Sequence, residues 1–264
     1  MNLDPETLAL SVGAGAAAGL VGCFAVMRRM TLAADAISHI ALPGIGLALV
    51  VHIYPVVGAA AMLLIGMVIV WGVEIKTGIA TETVIGVMFS TALAVGSMIT
   101  SGDDLIEALF GDTARLSVLE AALGLVIAAV IVVFIWRERH RLVLALVSPE
   151  IARTAGINVA RLDLRFLLIF ALTIALGLRY LGVLLIGSLV IVPAATAKRL
   201  ARSLNGMLAI SVSVAILSTT IGTVASAVLA RPAGPLVVIV AAICFFASLL
   251  RRAKSRHRSA TTST

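Results

Sequence analysis

The sequence predicts an all-α, polytopic integral membrane protein with about eight or nine transmembrane helices. Three observations predict it. Hydrophobic residues make up 61% of the chain and charged residues only 12%, against about a quarter charged in a soluble domain. The mean hydropathy is +1.16. The charges are also segregated: residues 7–27, 40–73, 83–102, 180–197, 203–230 and 232–250 contain no Asp, Glu, Lys or Arg. A bilayer core of about 30 Å takes roughly 20 apolar residues of helix. In lipid each segment must satisfy its own backbone groups, which makes helices the default. The short alternating segments of a membrane barrel do not occur.

In chain order, the first span is 7–27, closed by Arg28 and Arg29. Its "GAGAAAG" at 13–19 spaces Gly15 and Gly19 four apart and runs on to Gly22. That spacing lets helix backbones approach closely in membranes, and packing within the chain is a simpler use of it than a dimer contact. The uncharged run 40–73 exceeds one crossing. Tyr54-Pro55 divides it, because proline ends a helix, and leaves spans 31–52 and 55–75. The fourth span is 83–101, and the fifth, 117–136, meets "WRERHR" at 136–141. Span 165–178 is short and 181–197 follows almost at once, so the two count as one crossing or two. Spans 206–229 and 233–250 complete a single transmembrane domain over residues 1–250, followed by a basic tail at 251–264 that reads as disordered.

With the N-terminus outside and nine crossings, the inner loops collect Arg28, Arg29, Lys76, the 136–141 run, Arg153, Arg161, Arg165, "KRLAR" at 198–202 and "RRAKSRHR" at 251–258. That is 17 of the 20 Lys and Arg residues; only Arg115, Arg179 and Arg231 fall outside. Asp4, Glu6, Asp103, Asp104, Glu107, Asp112 and Glu120 gather on the outer side. The net charge of +7 and pI of 10.4 therefore follow the positive-inside rule, and the partner they imply is a lipid bilayer, not nucleic acid. The acidic start "MNLDPE" lacks the basic region of a signal peptide. Cys23 and Cys244 lie in apolar segments and read as buried thiols. No phosphate loop, H-E-x-x-H or G-x-S-x-G motif occurs, which argues against an enzyme.

Two stretches carry chemistry. In "DAISH", Asp35 and His39 are four residues apart and share a helix face. A carboxylate at membrane depth costs about 3 kcal/mol and usually faces a cavity, a partner or a substrate path. Together they are a nitrogen–oxygen pair suited to zinc, manganese or iron. Two ligands make an incomplete site, and a two-fold dimer would double them. The "LPGIG" at 42–46 supplies a helix irregularity of the kind transporters use at binding sites. The plainer reading is a pair bonded within the helix or to a neighbour. The second stretch lies in the inner connection 137–165. Ser148 suits an N-cap, Pro149 the first helical position, Glu150 the N-terminal dipole and Gly156 a stop. "SPEIARTAG" therefore predicts a short helix at the inner surface, either a plain interfacial helix or a docking element. His52 reads as a solvated histidine at the outer end of its span, and "DDLIEALFGD" at 103–112 as a solvated loop or a cation-attracting one.

These stretches resemble the membrane-spanning permease subunits of ABC importers for zinc, manganese and iron. The matching segments are "GLVGCFAVMRRMTLAADAISHIALPGIGLAL" at 19–49, "LFGD" at 109–112, "SPEIARTAGI" at 148–157, "GVLLIGSLVIVPAATAKRLAR" at 182–202 and "PAGPLVVIV" at 232–240. "DAISHIALPG" reads more like the manganese and iron members than the zinc ones. The resemblance implies an ABC-importer metal-permease fold in the bacterial cytoplasmic membrane. It implies a second permease chain, identical or paralogous, and an extracytoplasmic metal-binding protein. Separate cytoplasmic ATPase subunits would hydrolyse ATP, coupled through Ser148, Pro149, Glu150, Ala152 and Gly156. Asp35 and His39 fall on the family's metal path, with the divalent metal ion as transported substrate and no resident cofactor. Two alternatives stand beside it: a permease for chelated iron or cobalamin, and a membrane-embedded enzyme or scaffold using Asp35 and His39 as an acid–base pair. The second lacks a nucleophile near the pair.

The charge asymmetry fixes a topology that can be measured. A reporter fused after Ser259 should be active only as a cytoplasmic probe; activity of a periplasm-dependent reporter there would overturn the assignment.

Overall fold

The computed structural model describes residues 5–99, 117–229 and 231–260. They form eleven helices: α1 Pro5–Met27, α2 Thr31–His39, α3 Leu42–Val50, α4 Pro55–Thr77, α5 Thr81–Ile99, α6 Val118–Val147, α7 Pro149–Thr154, α8 Val159–Leu181, α9 Val183–Leu200, α10 Leu204–Leu229 and α11 Ala233–Ala260. Seven spans among the described residues are long and apolar enough to cross a membrane, with α2 and α3 counted as one. Helices α8 and α9 stand beside them. Gly182, at φ 71° and ψ 172°, separates the two, so the stretch that reads as one crossing or two is two helices.

Three helices run further than the charge pattern suggests. Helix α6 continues eleven residues past Trp136 to Val147, because Arg, Glu and Leu are good helix formers and the first stop signal is Ser148. Thirty residues span about 45 Å, well beyond an apolar core of about 30 Å, so its charged end stands out of the hydrocarbon. Helix α8 starts at Val159 and not at 165, because the Asn158 side chain accepts the Arg161 N–H at 3.0 Å. Helix α11 runs through the basic stretch to Ala260 in place of the expected disordered tail; no glycine or proline follows Pro235 to end it.

Helix α1 is the axis of the bundle and packs on α6, α8, α9 and α10. Its glycines make this possible. Gly15 and Gly19 face the backbone and small side chains of Ala215, Ser211 and Thr219 on α10, and a Cβ on Gly22 would run into the Val190 carbonyl of α9. The "GAGAAAG" stretch is thus spent on packing within the chain. Ser211 Oγ donates to the Gly19 carbonyl at 2.7 Å, and Cys23 Sγ lies 3.6 Å from the Met207 carbonyl. Both cysteines are free, Cys23 buried and Cys244 half-buried. Phe24, Phe166 and Phe170 are fully buried between α1 and α8. The outer faces of α4, α5, α6, α10 and α11 expose apolar side chains such as Ile65, Val87, Val126, Leu217 and Phe246, as a lipid-facing surface requires.

Candidate functional site

Helix α2 is short because both ends are forced. It enters from a three-residue turn in which Arg29 takes φ 63° and the Met30 N–H returns to the Ala25 carbonyl at 2.9 Å. It leaves through two tight turns, Ile40 N–H to Ile37 O at 3.0 Å and Ala41 N–H to Ser38 O at 3.2 Å. Pro43, in the first turn of α3, supplies no N–H to the His39 carbonyl. The irregularity expected from "LPGIG" is therefore a tightened turn, with Ile40 and Ala41 still in right-handed helical conformation, and it falls directly after His39.

Two neighbours set how α2 is turned. On one side, buried Ser38 has its Oγ 2.8 Å from the Val183 carbonyl of α9 and 2.6 Å from the Asp35 carbonyl. Four residues along α9, Gly187 lets the backbones touch: a Cβ there would sit 3.0–3.2 Å from Asp35 Cα, N and Cβ. On the other side, the His39 ring meets the Phe89 ring of α5 edge-on, with centroids 5.2 Å apart. Ala33, Ala34, Ile37 and Ser38 face inward. The remaining face is open. Leu32 is 84% exposed, Asp35 is exposed and His39 is half-buried.

Asp35 and His39 share that face, as the spacing predicts, but the intrahelical bond of the plainer reading is not formed. Among the described residues no hydrogen bond or ion pair engages the Asp35 carboxylate, and His39 Nδ1 is buried without a hydrogen-bond partner. No cluster of three or more His, Cys, Asp or Glu side chains occurs among the described residues either. One copy of the chain thus offers two metal-type ligands on an open flank, and not a closed site.

The second predicted element, the short helix, takes the expected form. Ser148 ends α6 and caps α7, its Oγ accepting the Ile151 N–H at 3.4 Å. Pro149 occupies the first turn. Gly156, at φ 78°, turns the chain, and the Ile157 N–H closes on the Ala152 carbonyl at 2.9 Å. Ala152 is fully buried, while Glu150, Ile151 and Arg153 point outward. His52 lies apart from Asp35. It lies two residues past the end of α3, at φ 56° in a left-handed turn made without glycine, and it is exposed. The acidic stretch 103–112 lies outside the described residues.

Sequence reasoning did not single out Ser38, Phe89 or Gly187, which hold the pair in place. Ser38 had a local signal, a hydroxyl inside "DAISH" facing the same side as Ala34 and Ile37. Phe89 and Gly187 had none, because their roles exist only across helices.

The model of the ABC 3 transport family matches residues 5–252. The chain is 33% identical over 242 residues to the high-affinity zinc uptake system membrane protein ZnuB of Haemophilus influenzae, covering 88% of this chain and 91% of that one. It is 29% identical over 249 residues to the manganese transport system membrane protein MntC of Listeria monocytogenes, covering 93% and 89%. In three dimensions it is similar to PsaBC from Streptococcus pneumoniae in complex with Fab, with a TM-score of 0.80, 28% identity and coverage of 92% and 89%.

The α2–α9 contact can be tested apart from any activity. Gly187→Val adds a branched side chain against the Asp35 backbone, which rotation cannot relieve. It should cost about 1–3 kcal/mol, read as a fall of several degrees in the unfolding midpoint in detergent. Gly86→Val, placed where a Cβ meets nothing within 4 Å, should leave the midpoint within a degree or so. Equal midpoints for the two variants would refute the contact.

Proposed function

We propose that this chain, which belongs to the ABC 3 transport family, is the membrane permease subunit of an ATP-driven importer for divalent metal ions: manganese, zinc or iron. The observation that carries the reading is the open face of α2. A carboxylate without a partner and an imidazole with a buried, unpaired nitrogen stand side by side in an otherwise apolar span. A carboxylate at that depth needs a polar counterpart, and a passing cation is one. Carboxylate oxygen and imidazole nitrogen together suit borderline divalent ions.

The site is completed by a second permease chain, identical or paralogous, whose α2 faces this one. Leu32 and Leu47, both more than half exposed, flank the pair and supply apolar area for that contact. The tightened turn after His39 is a helix irregularity of the kind transporters place at binding sites. Energy comes from separate ATPase subunits in the cytoplasm, docked on the outward face of α7. A metal-binding protein outside the bacterial cytoplasmic membrane delivers the ion. The chain itself is a transport protein and performs no covalent chemistry.

Asp35→Ala and His39→Ala should each lower metal uptake by about tenfold or more at matched expression. Both variants should remain inserted, since removing a charge from a span eases insertion. The check is uptake of zinc, manganese and iron isotopes in cells carrying each variant. Native rates for all three metals in both variants would sink the proposal.

A further inference from the structure

A second charged pair lies at the opposite end of α2, and neither member belongs to the metal pair or to α7. Arg28 Nη2 donates to Asp163 Oδ1 at 2.7 Å, with the two side chains only 14% and 29% exposed. The guanidinium also lies over the Phe166 ring, 4.4 Å from its centroid. Its Nε is buried and has no acceptor. A pair this far out of water gains little stability over an apolar contact, because desolvation offsets the attraction, whereas loss of one partner strands a charge. Such pairs are better suited to fixing one geometry than to adding stability. The unpaired Nε also differs from a saturated clamp, in which each buried donor is used.

The position of the pair indicates what geometry it fixes. Arg28 sits in the three-residue turn that launches α2, seven residues before Asp35. That turn is stiff: the Arg28 N–H returns to Phe24 O at 2.9 Å and the Met30 N–H to Ala25 O at 2.9 Å. Asp163 sits in the second turn of α8, directly after α7. The α7–α8 elbow is stiff as well, tied by Ile157 N–H to Ala152 O and by the Asn158 cap. Trp71 Nε1 donates to the Ala160 carbonyl at 2.8 Å and holds the first turn of α8 against α4. The two elbows therefore meet through the Arg28–Asp163 pair, beside the Arg28–Phe166 and Phe24–Phe166 contacts, with α7 on one side and the Asp35–His39 face on the other.

We propose that Arg28 and Asp163 are a positioning pair, a joint through which displacement of α7 by a docked ATPase is delivered to α2 and its metal face. This rests on the reading that α7 docks an ATPase. The pair does not touch the ion; it sets when the ion face is presented.

The test uses the full chain assembled with its ATPase in proteoliposomes, with zinc and manganese ions as probes. Ions imported and ATP hydrolysed are counted together for Arg28→Gln, Asp163→Asn and the double variant. Each single variant strands one charge and should lower the unfolding midpoint, while still assembling with the ATPase and importing at least about fivefold fewer ions per ATP. The double variant, with no stranded charge, should recover the midpoint but not the ion-to-ATP ratio, since both changes remove one contact. A native ion-to-ATP ratio in the single variants overturns the joint. So do multiplicative losses in the double variant, or loss of ATPase assembly, which would mark a clamp for folding alone. Failure of the unmutated complex to import either ion with ATP would instead refute the transport reading itself.

Discussion

A carboxylate placed in an apolar span is costly, by about 3 kcal/mol at a helix centre and less toward an end, and Asp35 sits in the second turn of the Thr31–Val50 span with the His39 imidazole as a polar neighbour. Asp35 has no hydrogen bond and no cation beside it among the described residues. Its neighbour on α9 approaches it with a glycine, not with a donor. The organisation of α2 follows from that constraint. Asp35 is turned to the exposed face of the helix, away from the packed side, and on the proposed reading that face meets a partner chain or an ion. Inward-facing Ala33, Ala34 and Ile37 commit the opposite face to the core. Ser38 then fixes the rotation by reaching the Val183 carbonyl. The hydroxyl also lies within reach of the Asp35 carbonyl in its own helix, so the contact with Val183 is the part that ties α2 to α9.

Small residues supply the precision. Helices cannot be driven together in lipid by hydrophobicity, because the tails are as apolar as the side chains. Close backbone approach replaces that force. Gly22 against Val190 and Gly19 against Ser211 hold α1 to α9 and α10. Gly187 then places α9 against Asp35 itself. The metal-type face is thus positioned by a continuous backbone stack, α10 to α1 to α9 to α2, in which few flexible side chains intervene. A group held this way keeps its orientation when the neighbouring face is empty.

The parts legible in the sequence are those set by nearby residues. The spans follow from where charges stop, and the tightened α2–α3 turn from Pro43. The boundaries of α7 follow from Ser148, Pro149 and Gly156, whose capping and left-handed roles are local by nature. Asp35 and His39 stood out because they are polar at four-residue spacing in an apolar run. The extension of α6 to Val147 was obscured because charged residues that leave the membrane remain good helix formers. The start of α8 was obscured because Asn158 caps a turn already rich in charge. The two-helix nature of 159–200 depends on Gly182, one of many glycines in the chain. The Ser38–Val183, His39–Phe89 and Arg28–Asp163 contacts join residues far apart in sequence, and nothing in either local stretch names the other.

The open ligand pair also bears on selectivity. The relatives compared with this chain are named for zinc in one case and manganese in another, and both are similar to it along almost its whole length. An Asp and a His do not distinguish these ions by affinity; geometry and ligand number do. If the proposed function holds, a chain that contributes two ligands from one open face leaves both variables to the separation and angle between two such faces. Those are set by the rotation of α2, hence by Ser38, Gly187 and the stiff turn at Arg28, and by the apolar contacts around Leu32 and Leu47 where a second chain would meet it. Under the proposed function the choice of metal would fall to the residues that aim Asp35 and His39, and the pair itself would supply only chemistry that any divalent ion of this group can use.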